Sequence, residues 1–118
     1  MTETMILVAD SFGPICIDPD DGGKLCDVVH DALDRGEKVV LDFTGVTTLA
    51  SLFLNTAVGC LYSFFEKGDL ESRLHWKGLD ETDESVLRFV QKNAIRFYAA
   101  KGPQQAALTK AANRAVGE

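Results

Sequence analysis

Nucleophiles, acids and imidazoles are all present in this chain, but their spacing assembles no catalytic set. His30 lies among Asp27, Asp31 and Asp34 on the polar side of a helical pattern, and His75 has no cysteine or second histidine at a ligand spacing. Neither nucleates a metal site, and no metal or cofactor is expected. Cys16, Cys26 and Cys60 are odd in number, widely spaced and outside any C-x-x-C frame, which reads as reduced core thiols. Neither the phosphate-binding G-x-x-x-x-G-K-[ST] loop nor a G-x-G-x-x-G turn occurs, and Gly22-Gly23 alone builds no phosphate cradle. The chain is therefore read as a non-enzyme; an active site here would need residues that meet only in three dimensions.

The residues left with something to do are polar ones in apolar company. Asp42 closes an apolar run and is followed by Gly45. It is either a ligand or phosphate-relay acid, or a side chain that fixes the next turn by bonding its backbone, and the turn is the expected use. Ser51 stands where an apolar helix begins, so its hydroxyl is placed to cap that helix. Asn55, close to Phe53 in the same helix, either bonds the Gly45 loop or faces a partner; buried amides are normally satisfied internally.

The elements that must position these residues follow from periodicity. Residues 5–9 and 14–17 read as two strands joined by a turn at Asp10, Ser11 and Gly13. Asp18 and Pro19 open a helix as N-cap and first residue, with Gly22 and Gly23 weakening its first turn enough that the start could slip to Gly23. Leu25, Val28, Val29, Ala32 and Leu33 make its buried stripe, and Gly36 ends it. Residues 38–43, KVVLDF, form a nearly unbroken β-branched and apolar run, the pattern of a central strand covered on both faces. After residues 46–49, which continue extended, a helix over 52–67 is apolar on nearly every side, and one side must meet a partner or a neighbouring helix.

Gly68 is the expected C-cap of that helix, and Leu70, Leu74 and Trp76 alternating with Glu71, Arg73 and His75 predict a half-buried edge strand. Asp80 or Thr82 caps a last helix whose Val86, Phe89, Val90, Asn93 and Phe97 line one face, broadened by Leu87, Ala94 and Tyr98. Lys101, Gly102 and Pro103 break it. The expected architecture is α/β: a four-stranded mixed sheet with helices packed against it, a domain over residues 1–100, and a frayed or weakly docked helical tail over 101–118.

Composition narrows the class of function. A chain of 118 residues, nearly half of them hydrophobic and a quarter charged, forms one core of ordinary globular type. The net charge of −6, with the basic residues scattered among acids, disfavours nucleic acid as a partner. No stretch approaches the roughly 18 apolar residues of a membrane span, and the start of the chain lacks the charged leader of a secretory signal, so a cytoplasmic location is expected.

The segment KVVLDFTGVTTLASLFLNTAVGCLY, residues 38–62, resembles the STAS-like domain family of unknown function, a bacterial relative of the anti-sigma factor antagonist (STAS) fold. Leu41, Asp42, Phe43, Gly45 and Val46, then Phe53, Leu54, Asn55, Ala57 and Gly59, carry that likeness. Val90, Asn93, Ala94 and Tyr98 in VQKNAIRFY are similar to the family's last-helix signature.

The resemblance implies a regulatory protein-interaction module and, by analogy with the wider STAS group, a histidine-kinase-like ATPase domain as partner. It also implies that Ser51 occupies the position of the phosphorylated switch serine, with Ala50 and then Leu52 and Phe53 replacing the acid before it and the residues after it. A phosphate there would meet the positive end of a helix dipole, whereas an unmodified serine would simply cap. The other reading is a small-molecule or nucleotide-sensing domain with a pocket near the ends of the central strands. A homodimer is compatible with either.

Overall fold

The computed structural model describes residues 2–101. Three parallel strands make the main sheet, in the order β1 (Glu3–Leu7), β3 (Lys38–Asp42) and β5 (Leu74–Lys77), and a separate parallel ladder pairs β2 (Ile15–Cys16) with β4 (Thr48–Leu49). The run 38–43 is thus the central strand, as its composition predicts, but the four-stranded mixed sheet is corrected to three strands plus two, all parallel. The difference arises at the first connection. Helix α1 (Val8–Phe12) takes up the residues expected to extend β1, so β2 leaves β1 and pairs with β4 instead of closing a hairpin.

Register decides which side chains reach the core. Ile6, Leu41 and Trp76 stand abreast on one face of the sheet, and Met5, Val40 and His75 stand abreast on the other. Leu41 is fully buried whereas Val40 is only half-buried, with Met5 and Leu7 exposed beside it. The central strand is therefore covered by helices on one face, not on two. A β-branched run reads the same in both cases, because Val40 gains from cross-strand neighbours without a helix above it.

Helix α2 (Pro19–Asp34) begins as its sequence predicts. Asp18 Oδ1 accepts a hydrogen bond from Asp20 N at 2.8 Å, with Pro19 as the first helical residue. It ends in a Schellman turn: Gly36, at φ +84°, donates to Leu33 O at 2.9 Å, and Glu37 N donates to Ala32 O at 3.1 Å. Leu25, Val29, Ala32 and Leu33 are buried with Gly22 and Cys26, while Val28 of the expected stripe is exposed.

The apolar segment after Ala50 is not one helix. It divides into α3 (Ser51–Ala57), a 3-10 turn (Gly59–Ser63) and α4 (Lys67–Arg73). Gly59 is buried against the last helix, α5 (Glu81–Lys101), where an added Cβ would make ordinary contacts of 3.5 Å to Val90 Cγ1 and 3.8 Å to Ala94 Cβ. Gly68 lies inside α4 and is not a C-cap, and the edge strand is shortened to β5. Leu70 and Leu74 are four apart, a spacing that serves a helix equally well, and the Asp69–Arg73 pair one turn apart decides for helix.

Asp80 caps α5 through Asp83 N at 2.7 Å. Its buried line is Leu87, Val90 and Ala94, and Phe89, Asn93 and Phe97 of the expected face are exposed. The proposed tail lies, from residue 102 on, outside the described residues. Cys26 of α2 and Cys60 of the 3-10 turn pair as a disulfide with Cα atoms 7.1 Å apart, so the expectation of three reduced thiols holds only for Cys16, which is buried and free. Packing of α2 on the α3 segment brings the pair together, and no sequence motif marks it.

The two faces of β3 should answer differently to the same charge. Leu41→Asp places an unpaired carboxylate in the core and should leave insoluble or molten protein. Val40→Asp should stay soluble and melt cooperatively within about 1 kcal/mol of the parent. Equal damage from both, measured by chemical denaturation and solubility, would mean that the second face is covered.

Candidate functional site

At the C-terminal end of the sheet, Asp42 fixes the turn that leads toward Ser51. Its Oδ1 accepts from Thr44 N at 3.0 Å, and its Oδ2 lies 3.9 Å from Lys77 Nζ. The hydrogen bonds from Thr44, and then the Lys77 charge, hold the Asp42 carboxyl below the usual carboxylate range. Gly45, at φ +92°, carries the chain round in a conformation that side chains rarely adopt. Gly78 seals the turn from the β5 side, where an added Cβ would stand 2.6 Å from Thr44 N and 3.1 Å from Asp42 Oδ1. The turn-fixing use of Asp42 and Gly45 is thus the one visible in the geometry.

The chain then enters α3 through β4. Ala50 is the N-cap residue, with extended φ and ψ and its N–H bonded to Cys16 O at 3.0 Å. Ser51 is the first residue of the helix, is exposed, and makes no capping hydrogen bond. The expected capping role therefore does not fall to its hydroxyl, which among the described residues is left without a partner. No acidic residue occupies the first turn of α3.

Exposed apolar side chains stand near Ser51 in the chain and across the ladder. Leu52 is 54% exposed, Ile15 of β2 is 55% exposed and Ile17, just past β2, is 50% exposed, with Thr48 and Asp18 exposed beside them. Alternation accounts for them: Cys16 between the two isoleucines points inward and is buried, so both isoleucines point out. Asn55, one turn beyond Leu52, is also exposed, and no hydrogen bond joins it to the Gly45 loop among the described residues. Phe53 is different. It is fully buried, edge-on to Phe12 with ring centroids 6.0 Å apart, and supports the site from beneath.

Helix α2 holds α3 in this position. Gly22 lies against α3 so closely that an added Cβ would collide with Thr56 Oγ1 and stand 2.5 Å from Phe53 O. The glycine read from sequence as a weakness of α2 is the point where its backbone meets the neighbouring helix.

The opposite end of β3 carries a cavity of about 680 Å³, lined by residues that include Leu33, Asp34, Lys38, Phe65, Asp69 and Arg73. Arg73 organises this end. Its Nη1 donates to Leu33 O at 2.8 Å and to Glu37 O at 3.2 Å, and its Nε and Nη2 donate to the two Asp69 oxygens at 2.9 and 2.8 Å. The guanidinium also stands 5.9 Å above the Phe65 ring. Glu37 in turn accepts from Arg35 Nε at 2.9 Å and from Thr4 Oγ1. Alternation in the sequence puts Arg73 on the polar side of a strand; its position one turn after Asp69 is the signal for the clamp.

Among the described residues, no group of three or more His, Cys, Asp or Glu side chains is placed to hold a metal ion, and no helix is long and apolar enough to cross a membrane. His30 and His75 remain apart: His30 lies against the Phe64 and Phe65 rings, and His75 bonds to Ser72 O at 3.1 Å.

The described core is a parallel α/β sheet with helices, and the comparison with known families gives its class. Residues 21–84, more than half of the chain, match the family described as STAS-like domain of unknown function (DUF4325), and the chain belongs to that family. No curated protein and no solved structure matches the chain.

The carboxylates predict how the fold meets acid. Arg73 hydrogen bonds hold Asp69 below its ordinary range, and those from Arg35 and then Thr4 do the same for Glu37. A carboxyl whose folded pKa is depressed stabilises the fold above its unfolded pKa and loses that contribution as pH falls through the folded one. Thermal melts should be flat above about pH 5 and fall steeply below about pH 4. Arg73→Met should cost about 2 kcal/mol at neutral pH and make the acid limb shallower, because Asp69 no longer has a depressed pKa. A variant with the parent's acid limb would show that Arg73 is not what depresses Asp69.

Proposed function

We propose that this domain is a non-catalytic regulatory module that binds a protein partner through the start of α3, with Ser51 as its switch. The observation that carries the reading is an exposed serine hydroxyl, unbonded among the described residues, next to the exposed Leu52 and just past the β2–β4 ladder that exposes Ile15. A polar group beside exposed apolar side chains is suited to be sensed by a partner. Phosphate on Ser51 would put about two negative charges into that contact and oppose docking through desolvation. By analogy with STAS domains the partner is a histidine-kinase-like ATPase domain, and this part of the reading rests on family likeness alone.

The alternative, sensing of a small molecule or nucleotide, has the cavity at the Arg73 end in its favour. Against it, the guanidinium there is already committed to Asp69 and two backbone carbonyls, and Asp34 and Asp69 would repel phosphates.

Because Ala50 is the N-cap residue, substitutions at Ser51 separate surface chemistry from stability. Ser51→Ala should leave stability within about 0.5 kcal/mol and preserve binding, and Ser51→Asp should fold equally well, since an acid suits the first turn of a helix. With a photo-crosslinking residue at Leu52, the parent should yield one dominant adduct in bacterial lysate, identified by mass spectrometry as an ATPase of that class. Ser51→Asp should reduce the adduct several-fold while Ser51→Ala keeps it. An adduct indifferent to Ser51→Asp, or one formed equally from a crosslinker at the exposed Phe89, would remove the switch and the surface respectively.

A further inference from the structure

The outer edge of β1 is built to pair. Lys38 N donates to Thr2 O at 2.9 Å, and backbone groups alternate along a strand, so Thr2, Thr4 and Ile6 turn their N–H and C=O toward β3. Glu3, Met5 and Leu7 therefore turn theirs away from the sheet. Among the described residues, of these outward groups only Leu7 O has a partner outside the strand, Ser11 Oγ at 3.2 Å together with the first turn of α1. Met5 and Leu7 are 47% and 45% exposed on the helix-free face of the same strand.

Edge strands in native proteins are usually guarded by lysine, proline or a bulge. The far edge of this sheet has such a guard in Lys77 of β5, whereas β1 reads Glu-Thr-Met-Ile-Leu, with no lysine or proline and Glu3 at its start as its one charge.

We propose that the β1 edge is a homodimer interface, in which β1 of a second copy pairs antiparallel with it about a two-fold axis through Met5. Register supplies the argument for a second copy. Under that axis Met5 opposes Met5, and Glu3 opposes Leu7, so the outward-facing set maps onto itself and every outward group meets another outward group. Met5 exchanges both backbone hydrogen bonds with its counterpart, and Leu7 N–H reaches Glu3 C=O on each side. No like charges stand opposite each other, because Glu3, the one charged residue of the strand, faces an apolar residue. That is a requirement on a chain of net charge −6, whose copies repel elsewhere. The two three-stranded sheets join into a continuous one, and the Met5 and Leu7 side chains gain neighbours across the axis. The interface involves none of the residues around Ser51, so it stands or falls separately from the partner-binding reading.

Sedimentation velocity on the full chain, over a concentration series through the micromolar range, tests the assembly. Hydrogen exchange tests its geometry. The parent should pass from monomer to dimer, and the Met5 amide should become protected with rising concentration while the Thr4 and Ile6 amides are protected throughout. Met5→Pro removes an N–H that the monomer leaves pointing outward, a position where an edge strand tolerates proline, and should weaken the dimer at least about tenfold. Met5→Lys keeps the backbone and sets two cations face to face at the axis, with the same expected direction. His75→Lys on the opposite edge should leave the dimer unchanged. A parent that is monomeric throughout, a Met5 amide that exchanges equally fast at every concentration, or a dimer weakened by His75→Lys and not by the Met5 variants would overturn the proposal.

Discussion

The close approach of α2 to α3 at Gly22 is the constraint on which the rest of this domain depends. With no side chain at Gly22, the two backbones come near enough for α2 to lie against Phe53 O and Thr56, and this seats Phe53 and Leu54 in the core. The exposed residues of α3 follow from that seating. Once Phe53, Leu54 and Ala57 point inward, Ser51, Leu52 and Asn55 have only the outside left. The surface proposed to meet a partner is thus a by-product of how the helix is anchored.

Two polar devices hold the ends of the central strand. Asp42, with Thr44 and Gly78, fixes the turn that leads out of β3, and Arg73 ties α4 to the carbonyls at the end of α2 and the entry to β3. Both use a charged group to satisfy backbone or turn atoms that would otherwise be unpaired at the margin of the core. Arg73 also makes the N-terminal end of the sheet rich in committed charge. The C-terminal end has the smaller charged device, Asp42 with Lys77, and beyond it α3 begins with the exposed Ser51 and Leu52.

Much of this was legible in the sequence, and what was not has physical reasons. The Asp18–Pro19 helix start, the central strand at KVVLDF and the turn-fixing Asp42 are local features whose chemistry is contained in a few adjacent residues. The 3-10 turn is not legible because the segment's apolar pattern is continuous, and the helix it packs against, α5, is remote in sequence. Residues 70–76 fit strand and helix periods equally, and the Asp69–Arg73 spacing was the clue that distinguishes them. Coverage of β3 was misjudged because a β-branched run suits an open sheet face as well as a closed one. For Ser51 the sequence placed the helix start to within one residue, and one residue is the difference between a cap and an exposed hydroxyl.

Gly22 and Gly23 are adjacent, chemically identical and indistinguishable by propensity, and their separate substitution to alanine tests the packing account most directly. Alanine in a helix is normally worth up to about 1 kcal/mol over glycine. At Gly23, where nothing stands within 4 Å of an added Cβ, that gain should appear in full. At Gly22 the added methyl must push α3 away, and overpacking of this kind costs about 1–3 kcal/mol, so the sign should reverse. Urea denaturation of the two variants beside the parent decides it. Stabilisation at Gly23 with destabilisation at Gly22 is the predicted result, and two variants stabilised alike would mean that α2 and α3 do not meet at Gly22.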